Sequence, residues 1–161
     1  MNWAPFALAE PGKHGEAPRS ISALEGIGDR LRAAAFAEFQ AREAFLWAAD
    51  KFEDAPPGLR EAWRALAAEE EKHMGWLLDR MKILGISLTD RKVSDHLWVS
   101  LISCSTAREF AVYMANAEER GKLAGERFYE SLRDRDPVTG EIFRKIAEEE
   151  TSHIQLARKY Y

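Results

Sequence analysis

Two histidines of this sequence, His73 and His153, each follow a glutamate by three positions. The two segments read Glu-Glu-Lys-His at 70–73 and Glu-Thr-Ser-His at 150–153. Residues three positions apart share a face of a helix, so each carboxylate would point in the same direction as its imidazole. Carboxylate together with imidazole suits iron or manganese. The two segments therefore predict a pair of metal ligands on each of two helices.

Single glutamates extend this pattern with a constant spacing. Glu38 and Glu118 are 80 positions apart, and the same 80 positions separate the two Glu-x-x-His segments. The residues that lead into these segments also correspond, with 63–70 aligning with 143–150. The repeat predicts two related helical hairpins, with a pseudo-two-fold axis passing between the metals.

The predicted ligands are four carboxylates and two imidazoles. Carboxylates buried without partners cost several kcal/mol each, and metal cations compensate their charge. Four-helix bundles that hold two iron or two manganese ions use this ligand set. We predict two iron ions, with manganese or a mixed manganese and iron pair as the alternative. The predicted ligands are Glu38, Glu70, His73, Glu118, Glu150 and His153.

Other glutamates compete for the single positions. Glu43 is the rival on the first helix, and Glu119 and Glu126 are the rivals on the third. Glu38 and Glu118 are favoured by the 80-residue spacing and by the apolar residues that share their helix faces. The rivals on the third helix share a polar face, which is typical of solvent exposure. Glu119 is kept as an alternative, additional carboxylate ligand.

Four long amphipathic patterns must position these side chains. They predict helices over residues 25–53, 59–84, 106–133 and 141–160. Pro137 and Gly140 predict a turn over residues 134–140, before the last helix. The connection over 86–105 is longer than the other two and includes a short helix that ends at Leu101. Two short connections and one long one predict an all-α, antiparallel four-helix bundle with one long crossover. Prolines and glycines predict an extended N-terminal arm over residues 1–24, followed by the bundle over 25–161.

This arrangement of ligands resembles the ferritin-like superfamily of rubrerythrins, bacterioferritins and tRNA-hydroxylase-like proteins. The resemblance covers about residues 25–160 and includes Phe143-Arg144-Lys145-Ile146-Ala147 before the last ligand pair. It implies a ferritin-like fold and the six ligands above, with Glu70 and Glu150 bridging the metals and Glu38 and Glu118 as terminal ligands. The segment 118–121 is most similar to the third helix of the tRNA-hydroxylase-like branch.

Three departures from the family pattern limit what the resemblance implies. Cys104 is the only cysteine, so the four-cysteine iron site of rubrerythrins is not expected. The chain ends eight residues after His153, so we expect no fifth helix and no 24-subunit cage. Phe45 stands where many relatives have a tyrosine, so no tyrosyl radical is expected there.

Composition narrows the classes of partner. The formal net charge of −4 gives no electrostatic reason to expect nucleic acid. No apolar run approaches 18 residues, so we expect no membrane-spanning helix. The N-terminus lacks the pattern of a signal peptide, which predicts a cytoplasmic protein. We expect a homodimer, because the arm is apolar and the first helix is rich in aromatic residues.

The resulting hypothesis is a di-iron oxidoreductase that activates O2 or peroxide and acts on an unidentified small molecule with an unidentified electron donor. One alternative is a ferroxidase or iron-handling protein, and the other is a non-catalytic, metal-stabilised binding domain. Gly121 and Gly125 lie on the same helix face as Glu118. They predict either close helix packing or room for a substrate or oxygen beside the metals.

Overall fold

The computed structural model describes all 161 residues as a bundle of four long helices and one short one. Helix α1 packs along α2, α4 packs along α5, and the connection that contains α3 joins the two pairs. This confirms the predicted all-α bundle with one long crossover. None of the helices carries a stretch apolar enough to span a membrane. The helices are α1 (Leu24–Lys51), α2 (Pro57–Ile83), α3 (His96–Ile102), α4 (Ala107–Leu132) and α5 (Pro137–Tyr160).

The start of α5 differs from the prediction. Pro137 was expected to lie in a turn, with the helix starting at residue 141, but it is the first residue of α5. Proline suits this position because its fixed φ is helical and the first turn needs no N–H from it. The Asp136 side chain accepts a hydrogen bond from the Thr139 N–H at 3.1 Å, which caps the helix. A proline, Pro57, is likewise the first residue of α2, although its N-cap residue, Pro56, supplies no side-chain hydrogen bond.

The apolar core consists of two clusters along the bundle axis. One surrounds Trp63 and Phe110, and the other surrounds Leu31, Phe36 and Leu77. Neither cluster includes the buried glutamates and histidines of α2, α4 and α5 or the partly buried Glu38 of α1. The bundle therefore carries a polar layer within an otherwise apolar interior.

The N-terminal arm packs against its own bundle. The ring of Trp3 lies edge-on to Phe36, Phe39 and Trp98, with centroid distances of 5.4, 5.0 and 5.6 Å. The Ala9 N–H donates a 2.9 Å hydrogen bond to the carbonyl of Val93, which lies in the crossover. The arm and the crossover thus lie side by side over one part of α1.

Candidate metal centre

The six side chains predicted as ligands converge in the polar layer. They form two groups, in each of which the ligand atoms all lie within 4.8 Å of one another. Glu70 and Glu150 belong to both groups, whereas each of the other residues belongs to one. The groups are Glu38, Glu70, His73 and Glu150, and Glu70, Glu118, Glu150 and His153.

The two shared carboxylates each face both imidazoles. Glu70 has one oxygen 3.8 Å from Nδ1 of His73 and the other 2.9 Å from Nδ1 of His153. The oxygens of Glu150 lie 3.4 and 3.5 Å from the same two nitrogens. The imidazole rings are nearly parallel, with an interplanar angle of 18° and centroids 6.0 Å apart. Positions that bridge two ions would have this geometry.

The remaining two glutamates each serve one side of the pseudo-two-fold arrangement. Glu38 of α1 lies 3.8 Å from Nδ1 of His73, and Glu118 of α4 lies 3.3 Å from Nδ1 of His153. Each has one imidazole neighbour, which is the placement expected of a terminal ligand. The 80-residue repeat in the sequence thus corresponds to a repeat in space.

Two further glutamates orient the histidines, and sequence reasoning did not assign them a role. Nε2 of His73 lies 2.5 Å from a carboxylate oxygen of Glu149, and Nε2 of His153 lies 2.9 Å from one of Glu69. Because each contact engages Nε2, Nδ1 is left facing the cluster. Glu69 and Glu149 are themselves 80 positions apart, so the repeat carried a signal for them.

The cluster leaves buried polar atoms without hydrogen-bond partners. Such atoms occur in three of the glutamates, Glu70, Glu118 and Glu150, and at Nδ1 of both histidines. The close approach of His153 to Glu70 at 2.9 Å does not have hydrogen-bond geometry. Unpaired buried polar groups cost about 1–3 kcal/mol each. Cations between these atoms would supply the missing partners, so the residues present fit a metal pair.

Crowding of the carboxylates changes their affinity for protons. Burial and the charges of Glu70 and Glu150 raise the pKa of Glu38, and burial and the same neighbours raise the pKa of Glu118. Burial also opposes ionisation of Glu70, but contacts with Glu38 and both histidines outweigh it and lower its pKa to about 2. Bound cations would oppose this rise in pKa, because they compensate the charge of the crowded carboxylates.

The rival glutamates lie outside the cluster. Glu43 forms a 2.8 Å ion pair with Arg42. Glu126 lies 3.9 Å from Lys122, and together with the exposed Glu119 it lines a separate depression on the surface. The geometry thus favours Glu38 and Glu118 for the two single positions.

A cavity of about 600 Å³ reaches the cluster from outside the bundle, and the four clustered glutamates form part of its lining. The two glycines near Glu118 have different surroundings. A Cβ atom on Gly125 would lie 3.3 Å from the carbonyl of Phe143, whereas one on Gly121 would meet nothing within 4 Å. Gly125 therefore permits close packing of α4 on α5, and Gly121 borders open space.

Comparison with solved structures identifies the class of fold. The bacterioferritin-related protein of Bacteroides fragilis, described as a dodecameric thioferritin, superposes with a TM-score of 0.71 at 20% sequence identity. The match covers 86% of this chain and 85% of that one. The chain thus has a ferritin-like fold, which is the fold that the resemblance in its sequence implied.

The family can be stated more narrowly. The chain belongs to the family described as Protein of unknown function (DUF455), whose profile matches residues 7–161. None of the curated proteins matches it significantly in sequence.

Proposed function

We propose that the six clustered side chains hold two iron ions. Glu70 and Glu150 would bridge the ions, and Glu38 and Glu118 would each bind one of them. The support is the placement of the shared carboxylates between both imidazoles, together with the buried atoms that lack partners. Carboxylate and imidazole ligands suit iron and manganese, so a manganese or mixed pair is the alternative.

We further propose that the protein is an oxidoreductase that uses O2 or peroxide. A bound iron pair supplies the redox chemistry, and the chain supplies access and positioning. The observation that carries this proposal is the cavity whose lining includes all four clustered glutamates. A site that is reached by a cavity can admit a molecule other than the metal itself. Glu69 and Glu149 would hold the imidazoles in place during turnover.

Anaerobic titration with ferrous iron tests the proposal. We expect two iron ions per chain, followed by a change in the visible absorption spectrum when O2 or peroxide is added. Replacing Glu150 with alanine should abolish both, because this residue belongs to both groups of ligands. Replacing Glu43 with alanine is the matched control, since Glu43 lies outside the cluster. Iron binding without any reaction would instead indicate the non-catalytic, metal-stabilised domain.

A ferroxidase is the second candidate because the Bacteroides fragilis neighbour is described as a dodecameric thioferritin. It predicts oxidation of many iron equivalents per chain and a large assembly in light scattering. An oxidoreductase with an organic substrate would instead stop near two equivalents. The cytoplasmic location, the electron donor and the homodimer stay predictions.

A further inference from the structure

The cavity beside the cluster extends between α1 and α4. Its inner end includes Glu70, which is 1% exposed, and its outer end includes the exposed side chains of Glu16 and Lys92. Its volume of about 600 Å³ falls within the range of ligand pockets, roughly 300–1,000 Å³. The cavity therefore connects solvent with the candidate metal centre and is large enough for an organic molecule.

Small residues form its two facing walls. They recur at helical spacing, so each set lies along one side of its helix. Side chains of this size give these walls an apolar surface, and polar side chains such as Gln40 and Ser94 line other parts of the cavity. The wall residues are Ala33, Ala34 and Ala37 on α1, and Ala117, Gly121 and Ala124 on α4.

Positive charge is concentrated at the outer end. Arg32 also lines the cavity, but it is buried and paired with Asp29 at 3.0 Å, so it contributes little net charge. The remaining cations in the lining are Arg30, Arg91 and Lys92, and Glu16 is the one carboxylate beside them. The outer end is thus net positive, whereas the inner end is rich in carboxylates.

Arg91 has unused capacity to bind an anion. Its Nη2 donates to the carbonyl of Ala17, but its Nε is buried and has no hydrogen-bond partner. The nearest acidic group, Glu16, lies 3.8 Å from this Nε and accepts a 2.9 Å hydrogen bond from the Lys92 N–H. A carboxylate or phosphate at this point would satisfy the free donor.

We propose that this cavity binds an amphipathic acid, a molecule with one terminal anionic group on an apolar body. The anionic group would lie at Arg91 and Lys92, and the apolar body would follow the alanine and glycine walls inward. The unpartnered Nε of Arg91 holds the anionic group at the outer end, so the apolar end faces the metal centre. This names the substrate class of the proposed oxidoreductase. Oxidation of the apolar end rests on that proposed function, whereas binding of the acid requires no iron.

Calorimetric titration of the purified full-length protein, with and without iron, tests the proposal. The probes are decanoate, decyl phosphate and decanol, all below their aggregation concentrations. We expect at least one of the two acids to bind ten times or more tightly than decanol. Equal or tighter binding of decanol, or no binding of either acid, would overturn the proposal. Acid binding without reactivity of the iron-loaded protein would leave this proposal standing and refute the oxidoreductase.

Matched variants locate the ligand. Replacing Gly121 with leucine should weaken every probe at least tenfold, whereas leucine at Gly75 should not. Both are helical glycines where an added Cβ meets nothing within 4 Å, but Gly75 lies outside the cavity. Equal effects of the two variants would contradict the assignment of the site.

The charged end has its own variants. Replacing Arg91 with glutamine should remove most of the preference for acid over decanol. Lys92→Gln should reduce it without disturbing the arm, because the Lys92 side chain makes no ion pair in the structure. The exposed Arg127, outside the cavity, provides the control Arg127→Gln. An unchanged preference in both Arg91→Gln and Lys92→Gln would refute binding of the anionic group here.

Discussion

At the scale of single residues, the imidazole orientation depends on Glu69 and Glu149. Replacing either with glutamine keeps the size of the side chain but removes the charge that faces Nε2 of a histidine. We expect iron affinity to fall roughly 10–100-fold, which is typical for loss of a carboxylate that orients a metal-binding histidine. Competition with a chromophoric chelator measures this change. Glu61→Gln, at an exposed position of the same helix as Glu69, should bind iron as the unchanged protein does.

Stability measurements with and without iron distinguish Glu118 from its neighbour Glu119. Replacing Glu118 with glutamine should raise the stability of the metal-free protein by about 1 kcal/mol or more, because a buried, crowded carboxyl is removed. It should also reduce the extra stability that iron confers. Urea unfolding with and without iron measures both quantities.

Glu119→Gln is the matched control, since its side chain is exposed. It should change neither quantity by more than about 0.5 kcal/mol. Loss of iron-dependent stability in this variant would show that Glu119 is a ligand after all.

The sequence contained more information about the six predicted ligands than about the residues around them. The spacing of Glu38, Glu118 and the two Glu-x-x-His segments predicted which side chains would meet. The repeat also pairs Glu69 with Glu149, but it assigns them no role, because neighbouring residues on a helix point in different directions. Their partners lie on the opposite hairpin, and the sequence does not state how the two hairpins are rotated.

At the scale of elements, the start of α5 is linked to the end of α2 by Asp136. Its carboxylate accepts hydrogen bonds from the hydroxyl and the N–H of Thr139 and from Arg80, which is on α2. Burial disfavours the charged form, but these contacts outweigh it and lower the pKa of Asp136. A lowered pKa means that the folded state gains stability above the unfolded pKa of about 3.9 and loses it as pH falls.

Replacing Asp136 with alanine should therefore destabilise the protein by about 1 kcal/mol at pH 7. The difference from the unchanged protein should shrink below about pH 4, where the carboxyl takes up a proton. Urea unfolding at a series of pH values measures it. Asp134→Ala, at an exposed position two residues earlier, should have little effect. A difference that is the same at every pH would show that the charge of Asp136 contributes nothing.

The helices themselves were predictable from apolar periodicity, but this helix start was not. Pro137 and Gly140 are common in turns, and together they suggested one. In the structure Gly140 lies against Leu132 and Tyr129, with an added Cβ 3.3 Å from the side chain of Leu132. Close packing of α5 on α4 explains a glycine inside the first turns of a helix, and such packing is invisible in a local sequence pattern.

At the scale of the whole molecule, the arm and the crossover both pack against α1. Gln40 of α1 accepts a 3.0 Å hydrogen bond from the Trp98 N–H, and Arg32 donates to the carbonyl of Ser87. The sequence does not indicate whether the apolar arm packs on its own bundle or on a neighbouring subunit, because either surface would bury the same apolar side chains. The division of the chain into an arm over residues 1–24 and a bundle over residues 25–161 stays a prediction.

Substitution of Trp3 tests whether the arm packs on its own chain or on a second copy. It is 4% exposed, so replacing it with alanine should destabilise the protein by about 3–5 kcal/mol. Leu24→Ala, at a position that is 50% exposed, should change stability by less than about 0.5 kcal/mol. Because Trp3 packs within its own chain, the loss should be the same at every protein concentration. A loss that varies with concentration in urea unfolding would instead place the arm on a second copy.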